Sequence, residues 1–253
     1  MKLITGQLVI HVPHSSTNIP FKDGYLVDDF ILETEILKLT DWYTDVLFQD
    51  ENKTIIVKAE FSRIFCDVER FRDDKDEIMS QFGMGMIYEK TDEGIPLREV
   101  TPQIRNRIYI DFYRKHHEKL TEAVENQLKQ FNQALILDCH SFPDIPLKRD
   151  LNQDSLRPDF NIGTSNFHTP SKLIDLSVQF FKEKGYSISV DTPYSGTIVP
   201  MGYYQKDRRV HSIMLEINRR LYLEGNANLK SVKFEEIKAV VSEYIGRLKN
   251  ASK

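Results

Sequence analysis

The amino-acid sequence predicts an α/β fold, a three-layer αβα sandwich around one central sheet. Short apolar runs of strand length (LVIHV, ALILDC, SIMLEI) alternate along its 253 residues with longer stretches whose apolar side chains recur at helical spacing. Several strand-like runs stop at polar residues, as strands do where an open α/β sheet builds its site. No repeat or low-complexity linker interrupts the pattern, and this length suits a single domain of the class, so residues 1–253 are read as one unit.

Each element follows from its local grammar. Leu3–Val12 reads as a short buried strand, and Asp28–Leu39 and Asp41–Phe48 as helices, with Phe30, Ile31, Leu37, Val46 and Leu47 near helical spacing. β-Branched residues mark Lys53–Ala59 and Ser62–Val68 as strand segments. Residues 70–96 are charged and then glycine-rich, which predicts a long surface loop of the kind that carries function. A helix then opens with Thr101 placed to cap it and Pro102 in the first turn, where its missing N–H costs nothing. Leu120, Val124, Leu128 and Phe131 carry an apolar stripe onward. ALILDCHSFP reads as a buried strand with a polar end, and Asp150–Phe167 as irregular. Ser171–Lys184 is a helix stopped by Gly185, Tyr186–Val190 and SIMLEI are strands, and Ile237, Val240, Val241, Tyr244 and Leu248 stripe a C-terminal helix.

Composition narrows the function classes. A net charge of −4 argues against non-specific nucleic-acid binding, which rests on many Lys and Arg contacts to phosphate. No apolar run approaches the length of a membrane span, and Met1–Gln7 lacks the form of a signal peptide. Cys66 and Cys139 each sit in an apolar run, which predicts buried free thiols and a cytoplasmic protein. A small-molecule partner is expected; the oligomeric state stays open.

Three apolar runs end in residues that can do chemistry: His14 after the first, Asp138-Cys139-His140-Ser141 after a middle one, and Glu216-Ile217-Asn218-Arg219 after a late one. Two imidazoles and a carboxylate leave a metal with an open position, the usual form of catalytic zinc. Strand alternation puts Asp138 and His140 on one face and Cys139 on the other, so Asp138 can orient a neighbour. His11, His116 and His168 read as ordinary strand or surface residues, and the single Trp42 as packing.

The stretches VPHSSTNIP, TDWYTDVLF, SRIFCDVERFR, FGMGMIYEKT, DCHSFP, RPDFNIGTS, PYSGTIVPMGYY and LEINRRLYL, in that order, resemble the N-formylglutamate amidohydrolase family across nearly the whole chain. The resemblance implies a phosphorylase/hydrolase-like fold with a mixed central sheet, akin to zinc carboxypeptidases, and a single zinc ion. It implies hydrolysis of an N-acyl amino acid, N-formylglutamate first. Rival readings are a different N-acyl amino acid or small peptide, or a non-catalytic binding module of the same fold.

Carried over by position, the resemblance makes His14 and His140 zinc ligands, with Asp41 as the third and Asp45 as its rival. Asp41 could instead cap its helix. Glu216 resembles the general base, and Arg63 and Arg70 the arginines that hold substrate carboxylates, unless they pair with Asp67 and Glu69. His117, Asn218 and Arg219 fall in family motifs, and His117 and Asn218 are counted with the substrate-binding residues. Where the family reads DxNR, this chain has DVER. Glu69 is therefore expected to neutralise Arg70 or oppose an acidic substrate, unless it pairs with Arg63 or Arg72.

Overall fold

The structure is a computed structural model that describes residues 8–49, 54–225 and 228–250. Its centre is a six-stranded mixed sheet of β1 (Leu8–Val12), β2 (Ile55–Lys58), β3 (Ala134–Phe142), β4 (Phe160–Gly163), β5 (Ile188–Val190) and β6 (Val210–Asn218), in the order β2-β1-β3-β6-β4-β5. The first four in that order run parallel, β4 lies antiparallel to β6, and β5 runs parallel to β4. Central β3 is buried along its whole length, as a parallel strand covered on both faces must be.

Alternation divides the sheet into two apolar faces. Leu8, Ile10, Leu135, Leu137, Cys139, Leu215 and Ile217 pack with side chains of α2 (Thr44–Leu47), α5 (Ser171–Glu183) and α6 (Phe234–Asn250). On the other face Val9, Ala134, Ile136 and Val210 meet Leu120, Ala123 and Val124 of α4 (Arg114–Phe131). These are the three layers. The same alternation puts His11, Asp138, His140 and Glu216 on the α4 side, beyond the apolar residues of their strands.

The helices obey their expected grammar. Asp28 accepts from Ile31 N and caps α1 (Asp29–Leu39), and Thr101 accepts from Ile104 N and caps α3 (Pro102–Ile108) with proline in its first turn. A π-turn at Tyr109–Tyr113 joins α3 to α4, a local widening that recurs at functional sites. Gly185, at φ 85°, takes the left-handed conformation that ends α5.

Four expectations change. Asp41–Phe48 is helical only over α2, because Asp41 turns back to bond its N–H to the His14 carbonyl at 3.0 Å. Ser62–Val68 is a run of turns: the Ser62 carbonyl accepts from both Phe65 N and Cys66 N, which curls the chain out of strand geometry. Residues 70–96 are mostly irregular and partly exposed, as a surface loop would be, but their middle is core. Met79, Met84, Met86, Ile87 and Tyr88 are buried against α1, α3 and the Phe61–Val68 turns. The stretch Asp150–Phe167 holds β4, four buried residues too short for periodicity to reveal. Leu3–Gln7 and Lys53 lie outside the described residues. Both cysteines are buried and unpaired, and no helix among the described residues is long and apolar enough to cross a membrane.

Candidate active site

The carboxyl ends of β1, β3 and β6 open into a cavity of about 400 Å³, the place where parallel α/β sheets bind ligands. His14, Asp41, His140 and Glu216 line it, with Arg63, Arg70 and His117 on the walls.

His14, Asp41 and His140 bring one ligand atom each to within 4.8 Å of the others. Asp41 Oδ2 lies 3.5 Å from His14 Nδ1 and 3.2 Å from His140 Nδ1. The far nitrogen of each ring is held by a buried carboxylate: His14 Nε2 lies 2.8 Å from Asp67 Oδ1, and His140 Nε2 lies 3.1 Å from Asp138 Oδ1. Such carboxylates fix ring orientation and leave Nδ1 to serve as ligand. His14 Nδ1 is buried and has no hydrogen bond, which is the mark of a lone pair waiting for a Lewis acid. Two nitrogens and one oxygen, each supported from behind, fit a divalent cation such as zinc. Asp41 is not a helix cap: its second oxygen accepts from Arg219 Nη2 at 2.9 Å, and burial is outweighed by His14, His140 and Arg219, which hold the carboxyl well below the usual range. Asp45 stands apart, half-exposed and paired with Lys58 at 3.4 Å.

Glu216 pairs with His140 in the strand register, on the same side of the sheet. Burial, reinforced by the Asp41 charge, pushes its carboxyl up to about 8 against the opposing pull of His140, Arg63 and Arg219. Its Oε2 is buried without a hydrogen bond. A carboxyl that exchanges its proton near neutrality, beside a cation-binding group, is the environment of an acid–base residue.

Beneath this group lies a second cluster. His11 Nδ1 is 2.9 Å from Asp138 Oδ1 and 3.1 Å from Glu69 Oε1. Burial opposes the imidazolium, yet the two carboxylates raise His11 to about 9. Its Nε2 donates to His116 Nε2 at 2.8 Å, and burial together with the His11 charge keeps His116 neutral, its pKa well below the usual value. The imidazolium offsets one of the two negative charges, and His140 Nε2, 3.1 Å from the same Asp138 oxygen and 4.0 Å from Glu69, faces them as well. Glu69 therefore turns to His11, and neither the pairing with Arg70 nor the alternative with Arg63 or Arg72 is present.

Arg63 is committed to Asp67, at 3.0 Å through Nη2, and to the Tyr88 hydroxyl at 3.1 Å through Nε. Among the described residues Arg70 has only long ion pairs, 3.6 Å to Asp67 and 3.9 Å to Glu77, and its Nε is buried without a hydrogen bond. His117 lines the cavity and bonds the Val68 carbonyl through Nε2 at 3.0 Å. Burial and then the His11 charge lower its pKa to about 4. Asn218 does not line the cavity; its amide donates to Asp144 and to the Pro158 carbonyl. Trp42 packs against the core and donates to the Leu37 carbonyl. His116 and His168 are buried, not surface residues; His168 donates to the Val210 carbonyl and accepts from Gln205 N. Sequence reasoning left His11 and Asp67 without a site role. Asp67 carried a signal all the same, in its place between Arg63 and Arg70 of the DVER stretch.

The model of the N-formylglutamate amidohydrolase family matches residues 6–223. That match, on this fold, makes the chain a hydrolase of an amide bond. It belongs to the N-formylglutamate amidohydrolase family. The chain is similar to the N-formylglutamate amidohydrolase of Ralstonia eutropha, at 26% identity over 98% of this chain and 94% of that one, with a TM-score of 0.84. A gene product of Agrobacterium tumefaciens shares the fold at 17% identity over 99% and 93% of the two chains, TM-score 0.69. No curated protein matches the sequence at a significant level.

Proposed function

We propose that residues 1–253 form one zinc-dependent catalytic unit that removes the formyl group from an N-formyl amino acid, with N-formylglutamate as substrate. The observation that carries this is the meeting of three backed ligand atoms with the unpartnered Glu216 Oε2 in one cavity. Zinc held by His14 Nδ1, His140 Nδ1 and Asp41 Oδ2 would supply positive charge that lowers the pKa of water towards about 7 and polarises the formyl carbonyl.

The chain's own residues do the rest. Glu216, in the carboxylate form that a cation on the neighbouring ligand atoms would favour, takes a proton from the attacking water and returns it to the amide nitrogen as the C–N bond breaks, leaving formate and a free amine. Arg63, locked by Asp67 and Tyr88 through Nε and Nη2, has no hydrogen bond at Nη1 among the described residues and can donate it to the developing oxyanion. Arg70, with no short partner, receives a substrate carboxylate. Glu69 spends its charge on His11, so it does not argue for a less acidic substrate. Two buried unpaired thiols support a cytoplasmic setting.

The test is zinc analysis paired with formate release. The expected result is one zinc per chain, hydrolysis of N-formylglutamate, and loss of both in His140→Ala. Stoichiometric zinc retained by His140→Ala would sink the metal assignment, and a zinc-loaded wild type that releases no formate from N-formyl amino acids would sink the activity.

A further inference from the structure

Four arginines line the cavity, and their guanidinium groups are unequally occupied. Arg219 is fully engaged, bonding Asp41, Ser141 and the Lys38 carbonyl. Arg63 is held by Asp67 and Tyr88. Arg70 is short of partners, as described above. Arg149 is the fourth, and no carboxylate among the described residues lies within ion-pair distance of it. Its Nε donates to the main-chain carbonyl of Asp92 at 3.1 Å. The Asp92 carboxylate makes no ion pair with the guanidinium; its oxygens accept from Lys148 N at 3.3 Å and Arg149 N at 3.2 Å instead. Nη2 sits against Gly94, where a Cβ would come within 2.7 Å, so the missing side chain there leaves the guanidinium its room.

We propose that Arg149 binds a second substrate carboxylate, so that Arg70 and Arg149 together select a dicarboxylic N-acyl amino acid. The proposal deepens the reading given under Proposed function and rests on it for the reaction. Its physical basis is independent of that reading. A half-buried guanidinium pinned at Nε, uncompensated, on a cavity wall is pre-organised for an anion, since its planar fork matches a carboxylate through two parallel hydrogen bonds. An N-formyl amino acid with a neutral side chain has one carboxylate and satisfies only Arg70. N-formylglutamate has two, and the pair of under-occupied arginines matches that count. The residue lies outside every family-like stretch noted in the sequence, and nothing about its local pattern distinguishes it from a surface arginine.

The experiment has two arms, on zinc-loaded wild type, Arg149→Gln and Arg149→Lys. The first is calorimetric binding of glutarate, a dicarboxylate that cannot be hydrolysed, with butyrate as the one-carboxylate control. Arg149→Gln should lower glutarate affinity by about tenfold or more, and Arg149→Lys should recover part of it, because charge survives while the fork is lost. The second is the ratio of kcat/KM for N-formylglutamate over N-formylglutamine, expected to fall by a similar factor in Arg149→Gln, mainly through KM. Glutarate affinity and selectivity ratio both unchanged in Arg149→Gln overturn the proposal, as does a wild type that binds glutarate no better than butyrate. A wild type that hydrolyses no N-formyl amino acid yet loses glutarate binding on Arg149→Gln removes the proposed reaction and leaves the Arg149 assignment standing.

Discussion

Replacing Glu216 by Gln keeps its volume and one carbonyl oxygen but removes the group that can carry a proton. In zinc-loaded enzyme kcat should fall by about 10²–10⁴-fold, with zinc content unchanged by plasma mass spectrometry. Turnover near wild type in that variant means the proton is handled elsewhere. The ligand choice is sharper still, because Asp41 touches both imidazoles while Asp45 pairs with Lys58 at the surface. Asp41→Ala should weaken zinc strongly in a chelator competition and Asp45→Ala should not; the reverse order would move the ligand. Glu69→Asn should leave KM for N-formylglutamate within about twofold, since the carboxylate faces His11 and not Arg70. At this scale the sequence was legible wherever a residue ends a strand. His14, His140 and Glu216 do so, and their meeting follows from parallel strands sharing one carboxyl edge. His116 was not legible, since its burial depends on His11 of β1 lying beneath α4, a contact between residues 105 apart in the chain. Arg149 was not legible either, because what distinguishes it is the partners that its neighbours have already taken.

Among the elements, those with strong local signals matched expectation and those set by distant contacts did not. Thr101-Pro102 opens α3 because the cap and the fixed proline φ act within one turn. Ser62–Val68 has the composition of a strand but no sheet edge to join. Its turns place Arg63 and Asp67 behind His14, so the departure from β structure serves the site. The buried methionines of residues 70–96 were hidden by the flanking charges, which sit outside while Met79, Met84 and Met86 point inward. Thr101→Ala tests the cap directly. It removes the acceptor for Ile104 N and should cost about 1 kcal/mol in urea unfolding, within the usual range for such caps. Because α3 continues through the π-turn into the helix bearing His116 and His117, a loss of kcat beyond the stability loss would mean that the turn geometry itself sets the cavity wall.

For the molecule as a whole, the fold's main electrostatic burden is the charge it buries at the sheet's carboxyl edge. Asp41, Asp67 and Asp138 are all inaccessible, and the cations that face them are Arg219, Arg63, the His11 imidazolium and His140, whose pKa, against burial, Asp138 and Asp41 raise well above the usual value. Setting aside His140, a proposed zinc ligand, only His11 of these titrates near neutrality. Burial disfavours its charge, but Asp138 and Glu69 hold the folded pKa at about 9 against 6.5 for the free group. A pKa that is higher folded than unfolded stabilises the fold fully below about pH 6.5, and that stabilisation is lost as pH rises through about 9. The shift corresponds to about 3 kcal/mol, a large fraction of an ordinary domain's stability. Urea unfolding of chelator-treated protein should therefore show stability falling from pH 6.5 to pH 9. Other groups titrate across the same window, so the informative quantity is the difference in slope between wild type and His11→Asn. The variant is expected to be less stable at pH 6.5, having left Asp138 and Glu69 without that cation, and to lose less on going to pH 9. Parallel slopes would show that His11 is neutral in the fold. Asp138 would then rest on its bond from Ile198 N and on His140, whose own pKa, against burial, Asp138 raises well above the usual value.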